Sequence, residues 1–212
     1  MINLITLDRE YRSGGSDIAR KLGARLGWRV WDEELTMEIA RQMECECSAV
    51  EMLQEHRDPL YYRMMKAFFR GSVEGVQNAE TMKMVDADCI SDIARRVVIA
   101  AATEGRAVIV GRGAAYYLHD RPDTLHVFIY APTEEKMRRL QIAGESRQRA
   151  QELVETVDRD RAAFIKQYFK RDWPDRQLFH LMINSAVGDD AVVATVLHGL
   201  HHASQRLEEP RL

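Results

Sequence analysis

Apolar residues recur along the chain in two spacings. Met1 to Leu7 carries Ile2, Leu4, Ile5 and Leu7, and Ala107 to Val110 is a continuous apolar run between Gly105 and Gly111. Runs this short and this apolar predict strands buried on both faces, as in a parallel sheet. Trp28 to Trp31, Leu125 to Tyr130 and Leu181 to Asn184 predict three more. Between the runs the spacing lengthens. Ile18, Leu22 and Leu26 fall at i, i+4 and i+8 on one helix face, and Gly27 is placed to close that helix in the left-handed region. Further helices are predicted for Glu33 to Met43, for Glu80 to Thr103 with Ile90, Ile93, Val97 and Ala101 on one stripe, and for Asp189 to Leu207. Another begins at Thr133, with Glu134 and Glu135 in its first turn, where carboxylates suit the helix dipole.

Strands alternating with helices predict an α/β fold: a three-layer parallel sheet with helices on both faces. Two stretches interrupt the alternation. The first, at about 44–88, reads as a helical insert with a capping box at Ser48 to Glu51 and a stripe of Met64, Met65, Phe68 and Phe69. That stripe suits core or a subunit interface, which leaves a homo-oligomer open. The second, at about 138–171, is charged and rich in arginine, and reads as a lid. The 212 residues fit one domain spanning 1–212.

Composition narrows the classes. With 46% apolar and 30% charged residues the chain reads as globular, and a net charge of −3 offers no basic excess for a nucleic-acid partner. No apolar run approaches the roughly 20 residues needed to cross a bilayer. The N-terminus lacks a signal-peptide pattern, and Cys45, Cys47 and Cys89 have no zinc-site spacing, so reduced thiols and a cytoplasmic setting are expected. His198 and His202 stand at i, i+4, yet no H-E-x-x-H accompanies them, and a solvated helix face is the expectation.

The candidate chemistry lies in the turn after the first strand, Leu7 to Ala19. Ligands of open α/β sheets bind beyond the carboxyl ends of the strands, so the position is right. Gly14 and Gly15 let backbone N–H groups approach phosphate oxygens, and the following helix aims its N-terminal N–H groups at the same point. Arg12, Ser13, Gly14, Gly15, Ser16 and Asp17 are the expected phosphate cradle, with hydroxyls from Ser13 and Ser16. The pattern G-x-x-x-x-G-K-[ST] is not met: Gly15 stands in place of the lysine, and Asp17 is read in place of the magnesium-binding hydroxyl. Arg9 or Arg12 is the candidate source of the missing charge.

Beyond this loop the chain resembles the cytidylate kinase-like family of P-loop nucleoside-monophosphate kinases. The resemblance runs through Asp8-Arg-Glu-Tyr-Arg-Ser-Gly-Gly15, Trp31-Asp-Glu-Glu34, Val108-Ile-Val-Gly-Arg-Gly113, His126 to Pro132, Asp158 to Phe164, Trp173-Pro-Asp175 and Ile183-Asn-Ser185, in family order over nearly the whole chain. It implies transfer of the γ-phosphoryl of ATP, with Mg²⁺, to a nucleoside monophosphate such as CMP or dCMP. Catalytic roles would fall to Arg9, Arg112, Arg139 and Arg161. The acceptor nucleotide would be held by Asp32, Arg112, Gly113, Arg138 and Arg159, with Asp17 a candidate Mg²⁺ ligand. Arg138 and Arg139 are neighbours on a helix, so only one can face the site. Asp32 could equally be the N-cap of its helix, and Asp158 to Arg161 could be plain surface pairs. The missing lysine leaves two other readings open: a non-catalytic nucleotide-binding regulator, and a kinase for a non-nucleotide acceptor. Here the family's first loop glycine is replaced by Arg12 and its leading serine by Asp8.

Overall fold

The computed structural model describes residues 1–46 and 87–208. The chain forms β1 (Leu4–Arg9), α1 (Gly15–Leu26), β2 (Arg29–Trp31), α2 (Glu33–Glu46), α3 (Ala87–Glu104), β3 (Ala107–Val110), α4 (Ala114–Tyr117), β4 (Thr124–Tyr130), α5 (Thr133–Ile142), α6 (Arg147–Phe169), β5 (Leu181–Asn184), a 3-10 turn (Ser185–Val187) and α7 (Asp189–Glu208). The five strands are all parallel, in the order β2-β3-β1-β4-β5. This is the three-layer fold that the spacing predicts. The capping box at Ser48 to Glu51 and the methionine-aromatic stripe lie outside the described residues.

Alternation along the strands builds both layers. Leu4 on β1, Ala107 and Ile109 on β3 and Phe128 on β4 pack on one face, against α2, α3 and α6 residues such as Leu35, Val97 and Phe164. Ile5, Leu7, Val108, Val110, Val127 and Ile129 point to the other, against α1 and α7 through Ile18, Leu22, Val192 and Val196. β1 lies between β3 and β4, the point where strand order diverges, so the loops that leave β1 and β3 open onto one crevice.

Three local features depart from the expected boundaries. β1 continues past Leu7 through Asp8 and Arg9, because its ladder with β4 continues as Asp8 to Phe128 and Arg9 to Ile129. A ladder pays no regard to side-chain polarity. The short helix α4 and the 3-10 turn carry too few residues for a readable period. Gly27 does close α1 in the left-handed region, its cap N–H donating to the Gly23 carbonyl.

A histidine pair joins β4 to the exposed bend before β5. His126, 2% exposed on β4, shares a 2.6 Å hydrogen bond between Nδ1 and Thr6 Oγ1, while its backbone N–H donates to His180 Nδ1 at 2.9 Å. The two rings stack with centroids 5.2 Å apart. Burial, then the neighbouring His180 and His119, push the His126 pKa down to about 4. The unfolded chain therefore binds a proton that the folded one refuses between about pH 4 and 6.5. Stability from the neutral ring is complete above pH 6.5 and is lost as pH falls towards 4, by up to about 3 kcal/mol. Urea unfolding at steps from pH 7 to 4 should show this slope in the wild type and a shallower one in His126→Gln; equal slopes would assign the acid sensitivity elsewhere.

Candidate functional site

The loop after β1 folds as it does because three of its residues leave the usual backbone region or brace it. Arg12 and Gly14 have φ of 58° and 85°. A left-handed conformation is strained for arginine, whereas glycine would adopt it without cost. Ser13 is fully buried, and its hydroxyl donates to the Glu10 carbonyl at 2.9 Å, so it braces the turn instead of facing a ligand. No side chain caps α1, whose N-terminal N–H groups are left for an anion.

Ser16 is the loop hydroxyl that turns towards the end of β2. It follows Gly15 directly, and its Oγ donates to Asp32 Oδ2 at 2.7 Å. Asp17 instead turns outward into an ion pair with Arg20 on the exposed face of α1. Asp32, at the end of β2, is 9% exposed; its second oxygen accepts from Arg9 at 3.4 Å, so the carboxylate joins loop and strand rather than merely opening α2.

Two cavities meet here. One, of about 360 Å³, lies along the loop from Arg9 to Asp17 and reaches Arg161. The other, of about 380 Å³, is lined by Asp8, Arg9, Gly111, Arg112, Gly113, Arg161, Phe164, Ile165 and Trp173. Arg9 and Arg161 line both. Gly111, Arg112 and Gly113 take φ of 66°, 55° and 70° in succession, a left-handed turn that carries Arg112 to the end of β3. Arg112 Nη2 donates to Thr36 Oγ1 at 2.6 Å. Burial above all, and then the charge of Arg9, hold its pKa down to about 9, with Asp32 opposing. It remains a cation at neutral pH, and one that an added anion would stabilise. Arg161 Nη1 donates to the Arg9 carbonyl at 2.8 Å and to Asp158 at 3.1 Å.

Of the adjacent pair on α5, Arg139 faces the site: its Nη1 donates to the Arg12 carbonyl at 3.2 Å and lies over Gly14. Arg138 is 62% exposed and paired with Glu135. Arg159 is exposed on α6 and borders neither cavity. The structure thus assembles Arg9, Ser16, Asp32, Arg112, Gly113, Arg139 and Arg161, and leaves Arg138 and Arg159 outside. Among the described residues no group of three or more His, Cys, Asp or Glu could hold a metal, and no helix is long and apolar enough to cross a membrane.

The sequence reading missed a buried ion network behind the loop. Lys136 Nζ, on a residue 6% exposed, lies 2.6 Å from Glu10 and 3.1 Å from Asp158. Asp158 also accepts the Tyr11 backbone N–H at 2.7 Å, so the carboxylate ties loop, α5 and α6 together. The only sequence signal is a lysine near the start of α5, where a cation opposes the helix dipole. A second missed contact is the Trp173 indole N–H, which donates to Asp8 Oδ2 at 2.9 Å and sets the wall of the larger cavity.

With this geometry, a model of the cytidylate kinase-like family matches residues 4–187. The chain belongs to that family. No curated protein sequence matches it. Among solved structures, an uncharacterized protein from Eubacterium ventriosum is similar at 19% identity, covering 95% of this chain and 99% of that one, with a TM-score of 0.65. Shikimate kinase from Bacteroides thetaiotaomicron is 13% identical over 95% and 99% of the two chains, with a TM-score of 0.55. That of Acinetobacter baumannii in complex with shikimate is 14% identical over 95% and 94%, with a TM-score of 0.52. At these identities the likeness is one of fold: a kinase-like parallel sheet flanked by helices.

The ion network of this cytidylate kinase-like protein generates a stability prediction. Lys136→Met takes the cation from partly buried Glu10 and leaves Asp158 with Arg161 and the Tyr11 N–H, and should cost about 2 kcal/mol in urea unfolding. A loss under about 0.5 kcal/mol would place the pair among weak surface bridges.

Proposed function

We propose that the protein transfers the γ-phosphoryl of ATP to a nucleoside monophosphate, with CMP and dCMP the first acceptors to try, releasing ADP. The carrying observation is that the loop cavity and the Arg112 cavity share two cations, Arg9 and Arg161. A donor phosphate on the α1 N-terminus and an acceptor phosphate at Arg112 would meet between them. Phosphoryl transfer spreads charge over the equatorial oxygens and asks for positioning and charge neutralisation more than for covalent chemistry. Buried guanidiniums meet that need, since their planar forks grip phosphate bidentately and low local dielectric strengthens the grip.

The residues present suit a magnesium ion. Ser16 Oγ and Asp32 form an oxygen pair at the loop, and Mg²⁺ typically takes one or two protein oxygens along with phosphate and water. When bound, the ion would neutralise charge on the β- and γ-phosphates. Asp17, on the outer face, is a weaker candidate than this pair. Arg112 and Gly113 would hold the acceptor phosphate, Arg139 would sit over the loop glycines, and Phe164 and Trp173 would exclude water from the acceptor side.

A coupled ADP-release assay with Mg-ATP against CMP, dCMP, UMP, AMP, GMP and shikimate tests this reading. Turnover with a nucleoside monophosphate, lowered about a hundredfold or more in kcat/KM by Arg112→Ala, is expected. Turnover with shikimate alone would move the acceptor class to a non-nucleotide. Nucleotide binding without turnover on any acceptor would make the protein a nucleotide-binding regulator on a kinase fold.

A further inference from the structure

The absent loop lysine has a geometric cause. A Cβ added at Gly15 would stand 2.7 Å from Arg9 Cγ and 2.8 Å from Arg9 Cβ, with Leu7 Cδ2 at 3.3 Å. Arg9 Cβ is fixed by the β1 ladder, and Cγ could clear the space only by leaving the rotamer that carries the guanidinium to Asp32. The stem of Arg9 therefore fills the space that any side chain at position 15 would need. Its guanidinium continues across Gly111, where a Cβ would overlap Nη1, and ends beside Asp32. From there it borders both cavities.

We infer that Arg9 is the relocated cation of the phosphate loop: it takes the charge role of the lysine from the end of β1, and its stem excludes a lysine at position 15. Arg9 and a side chain at 15 are then alternatives, and a chain of this design has one or the other. Arg12, the other candidate, is turned differently. Its carbonyl is held by Arg139 and its guanidinium lies 5.8 Å from the Tyr11 ring centroid. Asp32 has two roles in this arrangement: it offsets the buried charge of Arg9 and accepts the Ser16 hydroxyl, so the cation and the metal-facing oxygens are set by one carboxylate. Burial lowers the Arg9 pKa and Asp32 raises it, in keeping with a charge held ready for an anion.

This inference rests on the phosphate-transfer reading above, and a charge swap separates the two. The variants are Arg9→Ala, Arg9→Met, Gly15→Lys and the double Arg9→Ala/Gly15→Lys. The readouts are thermal midpoint without ligand and calorimetric binding of inorganic tripolyphosphate. Gly15→Lys alone should lower the midpoint, and Arg9→Ala, which removes Cγ and the guanidinium but keeps Cβ, should relieve part of that loss in the double variant, a non-additivity that needs no ligand. Arg9→Met keeps the stem without the charge, so it should fold while binding tripolyphosphate about 30-fold more weakly. The double variant should recover at least about tenfold over Arg9→Ala, because its lysine now reaches the same oxygens. A Gly15→Lys protein as stable as the wild type, an Arg9→Met protein with unchanged affinity, or a double variant no better than Arg9→Ala would each overturn the inference. A wild type that binds no tripolyphosphate would instead count against the phosphate-transfer reading, while the midpoint data would still decide whether positions 9 and 15 exclude each other.

Discussion

Arg9 carries its charge inside the protein, and a buried guanidinium is tolerated only where other groups answer for it. Much of the site follows from that constraint. Asp32 is drawn to the end of β2 as counter-charge, and Ser16 then shares the carboxylate. Gly111 is glycine because the guanidinium crosses its Cα, and Gly15 is glycine because the stem crosses there. The Arg9 carbonyl in turn receives Arg161 from α6. One residue thus accounts for two glycines, one acid and the seat of a second arginine.

The arginine-rich stretch expected to act as a lid is tied to the loop by several polar contacts. Asp158 holds the Tyr11 amide, Arg161 and Lys136 at once, and Glu10 meets the same lysine. Leu140, Ala150, Leu153, Val154 and Val157 form a small core of their own between α5 and α6, with Tyr11 packed against it. The helix bearing Arg161 walls the phosphate loop, and these contacts hold the loop in its shape. Preorganisation of this kind favours charge stabilisation at a transferring group, because the dipoles and cations need not reorganise during reaction.

The layer architecture and most element boundaries were legible because burial on a strand or helix face leaves a period in the chain. The run Ala107 to Val110 and the stripe Ile18, Leu22 and Leu26 behave as their spacing demands. β1 ended two residues beyond its apolar run, since backbone pairing carried polar Asp8 and Arg9 into the sheet. Within the loop, backbone needs were readable in Gly14, whereas hydroxyl roles were not. Ser13 turned inward to Glu10 and Ser16 turned to Asp32, although both carry the same group. For the arginines, adjacency showed that only one of Arg138 and Arg139 could face the site, but not which one.

By itself the sequence determined the parallel α/β design, the place of the phosphate loop and the family, because these rest on local periodicity and on blocks of adjacent residues. The tertiary structure alone decided which arginine lies against the loop. That choice depends on Arg9, Gly15, Asp32 and Gly111 being brought together from β1, α1, the end of β2 and the end of β3, and on the exclusion of one side chain by another. Such exclusion is a property of packed volume and has no period in the chain from which it could be read.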